Sequence, residues 1–162
     1  AGLPRWQVLT ATLTASWACV LVCLLIAFAF IAAVVGVDFG PHVGLCLVAL
    51  GAASLMSSAA GAALGSAGGA GIGVVSAITC LLSLFTGLYG PGAQSVANAV
   101  ELNAPLLAQA NPLWQASHCF YALLYYDSLE PFARSCAVLA GMTGLFLAIA
   151  LIRARRMTHE RL

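Results

Sequence analysis

Residues 8–37 read VLTATLTASWACVLVCLLIAFAFIAAVVGV, from Val8 to Val37, without one charged side chain. About 20 helical residues cross the hydrocarbon of a bilayer, so this run is long enough to span with tilt to spare. It does not alternate polar with apolar as a spanning strand would, and in lipid a helix satisfies all its own backbone groups. It is also too long for a cleavable signal, and no short cleavage pattern follows it.

Composition extends that reading to the whole chain. Of 162 residues, 62% are hydrophobic and 7% charged, with mean hydropathy +1.02. A soluble domain carries about 25% charged residues, so this chain lacks the polar surface that water requires. A net charge of +1 says nothing about nucleic acid, and there is no basic patch of the kind that would make it an expected partner. Three more apolar runs follow, at about 43–64, 70–89 and 132–153. The expected fold is therefore all-α and polytopic: four transmembrane helices in a single transmembrane domain over 1–162, with the lipid bilayer as solvent.

Arginine sets the expected orientation. Arg5 precedes the first run, and Arg153, Arg155, Arg156 and Arg161 follow the last, whereas Arg134 alone falls on the other side. Four crossings put both ends together, and the positive-inside rule places them in the cytoplasm. Asp38, Glu101, Asp127 and Glu130 then lie outside.

The connections are unequal. VDFGPH (37–42) reads as a tight outer turn and GSAGGAG (65–71) as a tight inner one. The third connection, from Gly90 to about Ser128, is long and carries too many large apolar groups for a disordered loop. Two short helices are expected in an outer hairpin over about 93–126. The first runs from Ala93 to about Asn103, with Val96, Val100 and Leu107 on one side. In the second, Asn111 caps a helix that begins at Pro112. There Trp114, His118, Tyr121 and Tyr125 form one stripe, and Leu113, Phe120 and Leu124 a separate apolar one. Tyr and Trp favour the headgroup level, so the hairpin is expected to lie in the outer interface or dip partly into the membrane. Ser128 is expected to cap the last span, with Glu130 and Arg134 paired at i, i+4. Gly61, Gly65, Gly69 and Gly73, extended back to Ser57, recur every fourth residue. That spacing suits either a close packing seam between membrane helices or a flexible inner turn.

The search for chemistry singles out no catalytic, cofactor-binding or metal residue. The chain has no lysine, so it cannot supply the Lys of a P-loop. Cys19, Cys23, Cys46, Cys80, Cys119 and Cys136 form no CxxC pair, and only Cys119 and Cys136 fall near the outer side, where one disulfide is conceivable. His42, His118 and His159 lie on different segments, none deep in a span, which gives no facing ligands for haem or a metal. No GxSxG elbow occurs, and no span holds an acid or base for a proton relay.

Taken in order, the punctuation resembles the second half of a type-2 ABC exporter permease. AGLPRWQVLTATLTA (1–15) is similar to the segment leading from the cytosolic coupling region into the third span of such permeases. LFTGLYGPG (84–92), with Gly87 and Pro91, looks like the end of the fifth. NAPLLAQANPLWQASHCFYALLYYDSLEP (103–131) resembles the short outer helices before the sixth, and ALIRARRM (150–157) its basic end. The resemblance rests on hydropathy and punctuation and covers nearly the whole chain. Family members commonly have six spans where four are visible, and the chain has no initiator methionine. The resemblance therefore implies the C-terminal part of a longer permease. It further implies an ATP-binding subunit in trans, a second permease subunit or half, an outer hairpin that helps close the extracellular end, and a bacterial cytoplasmic membrane. A non-transporting four-span scaffold or assembly protein is the alternative. A redox protein or protease with its key residues elsewhere also stays open.

Overall fold

The computed structural model describes residues 5–66, 72–87, 89–126 and 128–159. The side chains of Arg5, Trp6 and 155–159 lie outside that description, as do Gly69, Asp127 and Arg161 altogether. Seven α-helices occur among the described residues: α1 (Arg5–Phe30), α2 (Val43–Gly65), α3 (Ile72–Leu84), α4 (Pro91–Asn103), α5 (Pro105–Gln109), α6 (Pro112–Tyr125) and α7 (Glu130–His159), with no strand among them. The chain divides into two compact units. The first comprises 1–69 and 140–162; the second comprises 70–139, so that α7 starts in the second and ends in the first.

In the first unit, α1 continues through a wider π turn, Ile31–Val35. It stops at Gly36, whose φ of 75° lets its N–H reach back to the Ile31 carbonyl, a left-handed close that a side chain would strain. Asp38 then shapes the turn that follows. Its Oδ1 accepts from the Gly40 N–H at 2.8 Å, Gly40 takes φ 59°, and Pro41 starts the short 3₁₀ turn Gly40–His42 that leads into α2. The rings of Phe28 and Phe39 pack across the turn with centroids 4.6 Å apart. The two helices meet along small residues, and Cys46, Ala49, Ala59 and Ala63 on α2 are buried. Among the described residues one polar bond crosses the pair: Trp17 Nε1 donates to Ser54 Oγ at 3.0 Å, and Ser54 in turn donates to the Gly51 carbonyl at 2.8 Å. Such interhelical bonds contribute about 0.6–2 kcal/mol in a membrane. The opposite side of α1 is bare: Val22, Ile26, Phe30 and Val34, at successive i+4 steps, are more than half exposed. A row of this kind has no stable place in water and suits lipid or another membrane helix.

In the second unit, α3 ends sooner than the apolar run suggests. The helix stops at Leu84, the chain turns through Thr86 and Gly87, and Gly87 adopts φ 76°. A Cβ at Gly87 would come within 3.3 Å of the Gln94 backbone, so glycine is required both for the turn and for the approach of α4. Gly90, with φ 96° and ψ −172°, precedes Pro91 at the start of α4.

The expected two-helix hairpin has three helical pieces. The extra one, α5, is a single turn that begins at Pro105, where a missing N–H costs nothing. Leu107 belongs to this turn and is exposed, so it shares no face with Val96 and Val100. The Asn111–Pro112 start of α6 is as expected: Asn111 Oδ1 accepts from Leu113 N–H at 3.0 Å. At the start of α7 the Leu129 carbonyl accepts from Ala133 N–H at 3.0 Å, which makes Leu129, and not Ser128, the cap residue. Glu130 and Arg134 form no ion pair among the described residues; Arg134 Nη2 instead lies 3.4 Å from Gln109 Oε1.

By length and hydropathy, three stretches are fit to cross a membrane: Gln7–Val35, Gly40–Gly65 and Glu130–Ala154. α3 is a shorter apolar helix, and its 13 residues rise about 20 Å against a hydrocarbon core of about 30 Å.

Candidate functional site

Two features stand out, one in each unit. In the first unit a cleft of about 500 Å³ opens along α1 and α2. Thr12 and Ser16 line it from α1, and Ser57, Ser58, Gly61 and Gly65 from α2. Within its own unit, none of the described glycines of the series seats a neighbour: a Cβ at Gly61, Gly65 or Gly73 would meet nothing within 4 Å. Gly61 and Gly65 therefore widen a groove and do not seat a helix of the same unit. Ser58 Oγ is sealed from solvent and has no hydrogen-bond partner. An unmet buried hydroxyl costs about 1–3 kcal/mol. Among the described residues the groove lining is thus apolar in the main and dotted with hydroxyls, with no charged side chain, which suits neutral or weakly polar matter.

In the second unit the pieces between α3 and α7 are tied by amides. Asn111, 5% exposed, caps α6 and also donates from Nδ2 to the Leu82 carbonyl of α3 at 2.8 Å. Gln115, 3% exposed, donates from Nε2 to the Gln109 carbonyl that ends α5, at 2.7 Å. On α6 the buried residues are Gln115, Cys119, Ala122 and Leu123. Leu113 and Phe120 are only half-buried and Leu124 is exposed, so the leucine–phenylalanine stripe is not the packing face. The aromatic stripe is present. Trp114 and His118 stack with centroids 4.5 Å apart and planes 12° from parallel. Tyr121 and Tyr125 follow at 6.0 Å, both on the exposed side. His118 also meets the edge of Tyr126 at 6.2 Å. Burial lowers the His118 pKa below its ordinary value; Glu101 opposes the shift and Arg134 adds to it.

Cys119 on α6 and Cys136 on α7 bring their sulfurs to 3.8 Å, and both are free thiols. Burial, reinforced by Cys136, pushes the Cys119 thiol up to about 12. Residue spacing alone did not mark Gln115, Asn111 or Ser54 as joints. The available signal was the placement of amides and serines within otherwise apolar helices, where each must find a partner.

This is a multi-pass helical membrane protein with a polar, helical insertion ahead of its last long helix, and the comparison with protein families agrees. The family model for the ABC-2 family transporter protein matches residues 1–152, so the chain belongs to that family and is a transporter membrane subunit of the ABC permease type. No curated protein matches it, and no solved structure does.

Proposed function

We propose that this chain works as part of an ATP-driven exporter in the cell membrane. A separate subunit hydrolyses the ATP, and a second permease subunit or half completes the path. Both ends face the cytoplasm, which needs the short apolar α3 to serve as a fourth crossing through a locally thinned bilayer, and α4–α6 lie on the outer side of the membrane. The observation that carries the reading is the insertion of α4–α6, stitched by buried amides, directly before a long apolar helix in a chain matched by the family over 1–152. Residues 1–162 hold no lysine and so no P-loop, which fits an ATPase carried elsewhere. The bare row on α1 supports a second permease or lipid beside it, and the hydroxyl-dotted groove supports a path for weakly polar substrates. The arginines at 153, 155, 156 and 161 support the sidedness.

The test is purification of the full chain from its native membrane. ATP hydrolysis should co-purify with a distinct ATP-binding polypeptide and disappear when that polypeptide is stripped away. Trp114→Ala with Tyr121→Ala should reduce turnover of the reconstituted complex while leaving membrane levels of the chain near normal. Saturable ATP binding by the stripped chain would contradict the assignment.

A further inference from the structure

A second cleft, of about 160 Å³, lies within the 70–139 unit where α5 ends and α6 meets the first turns of α7. Gln109, Trp114, Gln115, Glu130, Arg134 and Ser135 line it. Two of these polar side chains are almost fully enclosed: Gln115 at 3% exposure and Ser135 at 2%. Gln115 uses its amide N–H on the Gln109 carbonyl, while its Oε1 has no partner among the described residues. Ser135 Oγ has none either. The only fully sealed, partnerless side-chain N or O among the described residues is Ser58 Oγ. The free Gln115 and Ser135 oxygens are therefore not sealed off; they reach the surface of the cleft they line. Enclosed polar atoms left unmatched cost free energy unless something in the cleft bonds them.

The charges in the cleft are of both signs and are not spent on each other. Glu130 and Arg134 stand one helical turn apart, on one face, about 5–6 Å between Cβ atoms, without an ion pair among the described residues. Arg134's nearest polar contact is the 3.4 Å approach to Gln109 Oε1, which leaves most of its donors free. A simple anion would be drawn to Arg134 and repelled by Glu130, and a simple cation would meet the reverse. A ligand that carries both charges satisfies both. Its anionic end takes the Arg134 guanidinium and the Ser135 hydroxyl. Its ammonium takes the Glu130 carboxylate and Gln115 Oε1, beside the Trp114 ring, where a cation is also favoured. The volume corresponds to about five waters at about 30 Å³ each, room for a small headgroup and little more. The cleft sits at the start of the spanning stretch Glu130–Ala154, the level at which both soluble and lipid-borne headgroups are available.

We propose that this cleft binds a compact zwitterion in which a primary ammonium and a phosphate are joined by two carbons, the chemistry of ethanolamine phosphate. Free phosphoethanolamine and the exposed end of phosphatidylethanolamine share that chemistry.

The test uses the full chain in lipid nanodiscs. In one arm phosphoethanolamine is titrated calorimetrically into discs of phosphatidylcholine. In the other, native mass spectrometry counts the phosphatidylethanolamine, phosphatidylglycerol and phosphatidylcholine that stay bound after extraction from an equal mixture. Saturable binding in the first arm identifies a soluble ligand; retention of phosphatidylethanolamine in the second, without the first, identifies a lipid. In whichever arm is positive, Glu130→Gln and Arg134→Gln should each weaken binding about tenfold or more, and Ser135→Ala by about threefold to tenfold. Both charged positions are exposed, so these variants fold, and circular dichroism checks this. Binding in neither arm overturns the proposal. So does retention of phosphatidylglycerol equal to that of phosphatidylethanolamine, inorganic phosphate titrated in the first arm binding as tightly as phosphoethanolamine, or binding in either arm that Glu130→Gln leaves unchanged.

Discussion

Asn111→Ala tests the joint on which the α4–α6 insertion depends. Asn111 does two things at once: Oδ1 caps α6 at Leu113 N–H and Nδ2 bonds the Leu82 carbonyl on α3 at 2.8 Å. Loss of an N-cap costs about 1 kcal/mol. Loss of the second bond leaves a carbonyl unpaired in a largely enclosed place, since Asn111 is only 5% exposed, and costs about 1–2 kcal/mol more. The sum, about 2–3 kcal/mol, should speed hydrogen exchange through Leu113–Leu124 by about 30- to 150-fold, at about 1.4 kcal/mol per factor of ten. Asn111→Ser separates the two parts, because a serine oxygen can still cap but cannot reach Leu82; it should lose only the second share, about 5- to 30-fold. Hydrogen exchange on the reconstituted chain reads both variants against the unchanged protein. If the alanine variant exchanges like the original, or if serine and alanine behave alike, Asn111 is not the joint described.

Other outcomes follow from the same contacts. Trp17→Phe should lower thermal stability of the chain in detergent by about 0.6–2 kcal/mol through loss of the bond to Ser54, with little cavity, since Ser54 keeps its bond to Gly51. The His118 pKa lies below its ordinary 6.5, so the folded unit favours the neutral ring. Its contribution to stability is whole above about pH 6.5 and is lost as pH falls through the lowered value. α6 amide exchange, corrected for its intrinsic pH dependence, should quicken toward pH 5 in the parent and not in His118→Gln. Cys119, with its thiol near 12, should resist maleimide at pH 8 in the folded chain and react once denatured, as read by mass spectrometry. Leu124→Arg should be tolerated better than Leu123→Arg in membrane yield. Leu124 is 39% exposed and Leu123 is 6% exposed, and a buried unpaired charge is the costlier change.

Runs of apolar residues were enough to find α1, α2 and α7, because a helix that crosses lipid needs only length and the absence of charge. The Asn111–Pro112 start was legible for a different reason: a cap depends on two adjacent residues and on nothing distant. Errors arose where a distant partner decides. Hydropathy grouped Leu113, Phe120 and Leu124 as one apolar stripe on α6, yet the packed face is Gln115, Cys119 and Ala122, which close contact with Gln109 and Cys136 selects. The run to Tyr89 hid a helix end at Leu84, set by the φ of Gly87 and the nearness of Gln94. α5 is one turn long and has no period to detect. The Gly61–Gly65 spacing fitted a seam as well as a turn, and the structure gives it a groove, which spacing cannot distinguish from a seam. The zwitterion cleft was illegible for the same reason: Glu130 and Arg134 looked like an i, i+4 pair until Gln109 was seen beside Arg134.

The permease account turns on where α4–α6 and the C-terminus lie with respect to the membrane. Leu102→Cys, at an 83% exposed position, and a cysteine added after Leu162 place one thiol on each, in a chain whose six native cysteines are replaced by alanine or serine. An impermeant maleimide applied to intact cells should label the cysteine at 102 at once and the terminal one only after the membrane is opened. Labelling of both from outside, or of neither, would contradict the account.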